Sequence, residues 1–245
     1  MIKIRELNIF DLHIPRVNWD AFDAMVDYVA GVGNIDHLVL GGDLVDFQSI
    51  SPWGNCANVQ LDEERELTEN ALDIITKAFP NARKTFIVGN HDLWLERHLC
   101  KLNPQLLKLP ELSLASVLRL DEFGFEVVDN VKLLEAGKPA FKIGNLTHLH
   151  GHELRISPRA KHVAHLAWDR CADNVIFGHF HTDQTCIKRG IRQDAKGAWA
   201  IGTMGELSPE FRPINDWVNG FAIVEHFDGQ FFSVYNKKII NHKVV

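Results

Sequence analysis

The 245-residue chain lacks several things at once. No apolar run approaches the ~18 residues that a membrane-spanning helix needs. The first residues run almost directly into a β-like segment, without the basic stretch, apolar core and cleavage site of a secretory leader, so the expected location is the cytoplasm. Cysteine is scarce. Cys56, Cys100, Cys171 and Cys186 are scattered without the paired short spacing of a zinc knuckle or a disulfide framework. Reduced thiols in or near the core are expected. Excess positive charge is also missing. A formal net charge of −6 argues against a broad nucleic-acid-binding face, though not against a local basic groove. No internal repeat, low-complexity segment or long linker divides the chain, so residues 1–245 read as one domain. The compositional oddity is thirteen histidines.

The apolar runs set the architecture. Ile2–Phe10, His37–Leu40 and Thr85–Val88 read as buried strands. Asn18 is placed to cap a helix over about 19–30, with Phe22, Met25, Val26 and Val29 on one face. Asp62 is placed to cap a second helix through about Phe79, with Leu67, Ala71, Ile74, Ile75 and Ala78 inward. This β-loop-α-β rhythm predicts parallel strands joined by right-handed crossovers. Residues 93 to about 135 differ, being rich in leucine and broken by Pro104 and Pro110. They read as a helical insertion with a short strand at Phe125–Val128, either a layer packed on the sheet or a cap over the substrate. Phe141–Leu149 returns as a strand, Ser157 or Pro158 starts a helix to about Asp169, and Asn174–Phe177 is the next strand. After Ala198 the segments Trp199–Ile201, Phe221–Val224 and Phe231–Tyr235 follow one another without helices, which predicts antiparallel pairing. The expected fold is α/β, two mixed sheets packed face to face with helices outside.

Five strands end in the same unusual way. Their tips read Asp11-Leu-His13, Gly42-Asp43-Leu-Val-Asp46, Gly89-Asn90-His91-Asp92, His150-Gly151-His152 and Gly178-His179-Phe-His181. C-terminal ends of parallel strands converge on one crevice, the usual ligand site of α/β sheets. In extended chain Asp11 and His13 project to one side, as do His179 and His181. Asp11, His13, Asp43, Asn90, His150, His179 and His181 are too many donors for one tetrahedral zinc and suit two ions sharing a carboxylate. Imidazole, carboxylate and amide oxygen without thiolate suit manganese, iron, zinc, cobalt or nickel, manganese first. Two such ions outweigh two carboxylates, and the residual positive charge suits a phosphate.

The motif order resembles the calcineurin-like metallophosphoesterase superfamily across residues 11–181. That resemblance implies an αββα sandwich and two divalent metal ions. Asp11, His13 and His181 would hold the first ion, Asn90, His150 and His179 the second, and Asp43 would bridge. His91 would be catalytic, contacting phosphate and assisting the leaving oxygen, with Asp46 orienting its ring. The implied activity is hydrolysis of a phosphodiester, phosphomonoester or pyrophosphate bond by attack of a metal-bridging hydroxide. The alternatives are a DNA-end nuclease of the same superfamily and a non-catalytic scaffold that keeps the fold. Phe47-Gln48 after Asp46, and Asp92 in place of Glu, speak against the protein Ser/Thr phosphatase branch. The expected partner is a phosphate ester, as a small molecule or a nucleic-acid end, with no membrane and with a homo-oligomer allowed. His148 and His152 compete with His150 at two-residue spacing, and His150 is preferred because it precedes Gly151. His152, Arg155 and Arg159 are candidate substrate contacts. Trp53 and Trp94 flank the motifs as candidate stacking surfaces. His226 carries no argument beyond structure or surface.

Overall fold

The computed structural model describes residues 3–51, 59–191, 194–228 and 230–245. Its first half follows the expected rhythm of β1 (Ile4–Ile9), α1 (Trp19–Val32), β2 (His37–Leu40), α2 (Leu61–Ala78) and β3 (Arg83–Ile87). The Asn18 side chain caps α1 by accepting from the Ala21 amide, and Phe22, Met25 and Val29 are buried along one face. α2 starts at Leu61, so Asp62 lies inside the first turn and Gln60, not Asp62, is the cap position; the helix buries Ala71, Leu72 and Ile75 beside Glu64 and Thr68, a face rotated from the Leu67–Ile74 stripe. Glu64 tolerates burial because it accepts from the Gln48 amide at 2.6 Å and the Ser49 hydroxyl at 2.8 Å.

The leucine-rich stretch folds as α3 (Leu93–Leu102), two short 3-10 turns and α4 (Leu114–Val117) before β4 (Phe125–Val128). β4 pairs in parallel with β3, so the stretch is an elaborated crossover within the main sheet. After α5 (Asn130–Glu135), the predicted single strand over 141–149 is a hairpin of β5 (Lys142–Ile143) and β6 (Leu146–Leu149). Gly144, at φ 56°, makes its turn. α6 (Val163–Cys171) starts later than Ser157, whose carbonyl instead closes a turn with the Ala160 amide.

β7 (Val175–Phe177), β8 (Gln184–Arg189) and β9 (Ala195–Ala200) belong to the second sheet, whereas β10 (Gly220–His226), β11 (Phe232–Ile240) and β12 (Lys243–Val244) cross to the first. The tail is thus not one run of antiparallel neighbours, since β9 lies parallel to β7 and β10 antiparallel to β1. The sheets run β12-β11-β10-β1-β2-β3-β4 and β5-β6-β7-β9-β8. Phe10, Leu146, Ile176 and Trp199 meet Ala222 and Val224 between them. α1 and α2 pack outside the larger sheet and α6 outside the smaller. The fold is α/β, a four-layer αββα sandwich. Among the described residues no helix is long and apolar enough to cross a membrane. Cys100 is exposed rather than near the core, Cys171 and Cys186 are partly buried, and Cys56 and Trp53 lie outside the described residues.

One polar group is sealed between the sheets. Glu6 is fully buried and accepts from the Asn8 amide, with His148 Nε2 at 2.8 Å and His226 Nε2 at 3.0 Å. Burial alone would raise its carboxyl, but the two histidines hold it down at about 2. His148 thus points into the sandwich and leaves the strand tip to His150.

Candidate metal centre

The tips of β1, β2, β3, β6 and β7 open on one edge of the sandwich. Their backbones stay joined beyond the strands. The Asp11 amide donates to Gly42 O at 3.1 Å, the His13 amide to Asp43 O at 2.9 Å and the Gly178 amide to His150 O at 2.8 Å. Asp11 and His13 do not lie in extended chain as their spacing predicts. Asp11, His13, Asp43, His179 and His181 all have left-handed backbone, with φ of 55°, 51°, 49°, 68° and 59°. That conformation costs a non-glycine residue about 1 kcal/mol or more, and such strain collects where side chains must be aimed.

The aim produces two clusters. In the first, His13 Nε2 and His181 Nε2 are 3.0 Å apart, with Asp11 Oδ1 at 3.9 Å from one and 3.8 Å from the other. In the second, His150 Nε2 lies 3.1 Å from Asn90 Oδ1 and 3.2 Å from Asp43 Oδ2, and Asp43 and His150 form a group of ligand atoms with His179. Asp43 Oδ2 is also 4.0 Å from His13 Nε2, so the same oxygen faces both clusters. The other Asp43 oxygen accepts from the His91 amide at 2.8 Å.

Tautomers follow from the outer contacts. His150 Nδ1 lies 2.9 Å from Gly41 O, which can only accept, so Nδ1 carries a proton and Nε2 is the nitrogen left to act as a ligand. His13 Nδ1 donates to Asp46 Oδ1 at 2.6 Å, again freeing Nε2. Burial disfavours the charged form of both rings. The carboxylates of Asp46, Asp43 and Asp11 nevertheless push His13 up to about 9, and Asp43 and Asp11 push His150 up to about 10. Burial, reinforced by neighbouring histidines, pushes His179 down to about 3 and His181 well below its usual range. His179 and His181 are thus held neutral, whereas the carboxylates draw positive charge onto His13 and His150.

Two further residues fix the tips to each other. A Cβ on Gly89 would collide with the Asp43 amide nitrogen and carboxylate, so this glycine permits the close approach of two loops. Asp92 is buried and accepts from the backbone amides of Gly89 at 2.7 Å, Asp43 at 2.9 Å and Leu44 at 3.2 Å. Burial and the Asp43 charge push its carboxyl up to about 7 despite these donors.

His91 stands beside the clusters. Its Nδ1 is 3.0 Å from Asp46 Oδ1 but not in hydrogen-bond alignment, and its ring stacks on Trp94 at 4.2 Å. Asp46 is shared, with the shorter contact to His13 rather than to His91. Burial would raise the Asp46 carboxyl, but His13 and His91 hold it far below the usual range.

Seven of the ten sequence candidates for metal and substrate contact thus converge, and three do not. Arg155 and Arg159 are exposed and do not line the cavity of about 790 Å³ over the clusters. His152 is not in that lining either, its ring 5.3 Å from that of His150. The cavity's arginine is Arg16, and its far wall comes from residues 203–217, including Phe211 and Trp217. No strand-tip motif marks that wall, and the only sequence signal was a Pro- and Trp-bearing loop between β9 and β10.

The calcineurin-like phosphoesterase family model matches residues 11–191, most of the chain and all five tips. The chain belongs to this family. None of the curated proteins matches it. Among solved structures it is similar to Vps29 from Entamoeba histolytica, at 13% identity over 99% of this chain and 96% of that one, with a TM-score of 0.48. Vps29 from Chaetomium thermophilum gives 11% identity over 99% and 95%, with a TM-score of 0.48. The NAD nucleotidase NadN from Haemophilus influenzae gives 10% identity over 99% and 53%, with a TM-score of 0.41.

Calcineurin-like phosphoesterases typically bind a dinuclear metal centre, and the donors here fit one. Among the described residues Asp11 Oδ1 is buried without a hydrogen-bond partner, although the other oxygen accepts from the His179 amide at 2.7 Å. Two imidazole nitrogens 3.0 Å apart suit two ligands of one cation. His150 Nε2 likewise converges with the Asn90 and Asp43 oxygens.

Proposed function

We propose that the chain is a dinuclear metal-dependent phosphoesterase that cleaves a phosphodiester, phosphomonoester or pyrophosphate bond. Asp11, His13 and His181 would hold one ion, Asn90, His150 and His179 the other, and Asp43 both, with manganese the first choice. When bound, the ions supply an activated water and positive charge for the phosphoryl oxygens. The observation that carries this reading is the placement of Asp43 Oδ2 toward both clusters, with His91 beside them at the open cavity.

The protein side is specific. With Nδ1 turned to Asp46, His91 presents Nε2 to the cavity, where it donates to a phosphoryl oxygen and then to the departing alkoxide. Asp46 stabilises the charged ring, and the Trp94 face restricts its rotation. Asp92 keeps the amides of the β2 and β3 loops in register, so Asp43 and Asn90 would stay within reach of the same ion.

The test is hydrolysis of p-nitrophenyl phosphate and bis-p-nitrophenyl phosphate by purified protein, with metal analysis on the same sample. Turnover should vanish on chelation and return with manganese. Protein that retains two ions per chain yet cleaves neither ester, nor DNA ends, would instead be a scaffold.

A further inference from the structure

The wall opposite the clusters has a chemistry that phosphoryl transfer alone does not require. Phe211 is 69% exposed, although it is one of the largest apolar side chains on the β9–β10 loop. Trp217 packs its edge on the His181 ring at 4.4 Å and lies 6.3 Å from Phe211. Trp94 lines the same cavity from α3. Three aromatic rings therefore border a space that begins at a candidate metal ligand. Arg16, also in the lining, makes no ion pair among the described residues, and its guanidinium instead lies 5.1 Å over the Phe211 ring. Glu206 and Glu210 stand on this wall as acceptors.

We propose that this cavity takes a nucleotide, with its base on the Phe211–Trp217 shelf and its phosphate between Arg16 and the clusters. Flat rings beside cations and carboxylates match a flat ring that carries hydrogen-bond donors and acceptors, joined to an anion. An acyl chain would gain nothing from Arg16 or the glutamates and would place methylenes against charged groups. Trp217 contacts His181, so a base stacked here is one sugar away from a phosphate at the clusters. The inference rests on the phosphoesterase reading for the phosphate end only; the shelf stands on its own geometry.

The test is calorimetric titration of the full chain with adenosine 5′-monophosphate, adenosine and ribose 5-phosphate. The monophosphate should bind at least about tenfold more tightly than ribose 5-phosphate, in line with the contribution of one stacked base. Phe211→Ala, at an exposed position that folding does not need, should weaken the monophosphate and adenosine about tenfold and leave ribose 5-phosphate unchanged. Arg16→Gln should weaken the monophosphate and spare adenosine. Equal affinity for the monophosphate and ribose 5-phosphate, or equal losses for both in Phe211→Ala, would overturn the proposal. Adenosine binding needs no hydrolysis, so its persistence in a protein without esterase activity would remove the catalytic reading and leave the shelf. Esterase activity blind to the base would do the reverse.

Discussion

Two buried carboxylates in this chain each face a pair of histidines. Asp46 lies 2.6 Å from His13 and 3.0 Å from His91 at a strand tip, and Glu6 lies 2.8 Å from His148 and 3.0 Å from His226 between the sheets. The chemical groups are nearly the same and the surroundings are not. Glu6 and His148 are closed off from solvent, so no substrate can reach them and their contact serves only the packing of one sheet on the other. His91 is a quarter exposed, and one of its faces belongs to the cavity. A carboxylate with two histidines is therefore no sign of catalysis by itself. Access, and a second set of donors within reach, separate the reactive group from the structural one.

The comparison can be broken from either side. The largest effect is expected from Asp43→Asn, which removes the charge shared by the two clusters. Metal content should fall below two ions per chain and turnover should disappear, as read by metal analysis and ester hydrolysis together. His91→Ala should lower kcat about 10²–10⁴-fold while metal content and the unfolding midpoint stay near wild type. Loss of metal in that variant would mean His91 is a ligand and not the proton donor.

Glu6→Gln should show the opposite pattern. The lost carboxylate leaves buried partners unpaired, at about 1–3 kcal/mol each, read as a lower urea midpoint, with turnover per folded molecule unchanged. The same residue sets an acid limb. Its carboxyl is held at about 2 in the folded protein against 4.5 in the free residue, so its stabilisation is complete above 4.5 and fades as pH falls toward 2. Urea titrations across that window should show a steeper loss for wild type than for Glu6→Gln. The smallest effect is expected from Trp94→Leu, which frees one face of the His91 ring and should lower kcat a few-fold with little change in KM.

The tips were readable because their physics is local. A β-branched run that stops in Asp, Asn or His is visible in any single strand, and five such runs corroborate one another. What failed to show was conformation at the tip itself. Asp11 and His13 look like residues on one side of a strand, yet each turns left-handed, and only backbone contacts with the next loop hold them so. Arg16, Phe211 and Trp217 stayed hidden for a related reason. They lie on loops, where no periodicity reports direction, and the wall they build is brought to the clusters by sheet order alone. β9 and β10 read as neighbours in the sequence and part company in space, which no pattern within either strand reveals.

Asp92 has a mechanical consequence. Its side chain is committed to three backbone amides of the β2 and β3 loops, and it is also the residue from which α3 departs, with no cap bond left to give. Lifting the root of α3 would strip those amides of their acceptor, at about 1–3 kcal/mol for each group left buried and unpaired. The leucine-rich stretch is therefore bolted down where it meets the cavity. Leu95 and Leu99 continue the anchorage along α3, and Leu118 and Leu120 repeat it at the far end of the stretch. His91 and Trp94 therefore sit between fixed points, and the wall they give the cavity is held in place by the backbone that carries it.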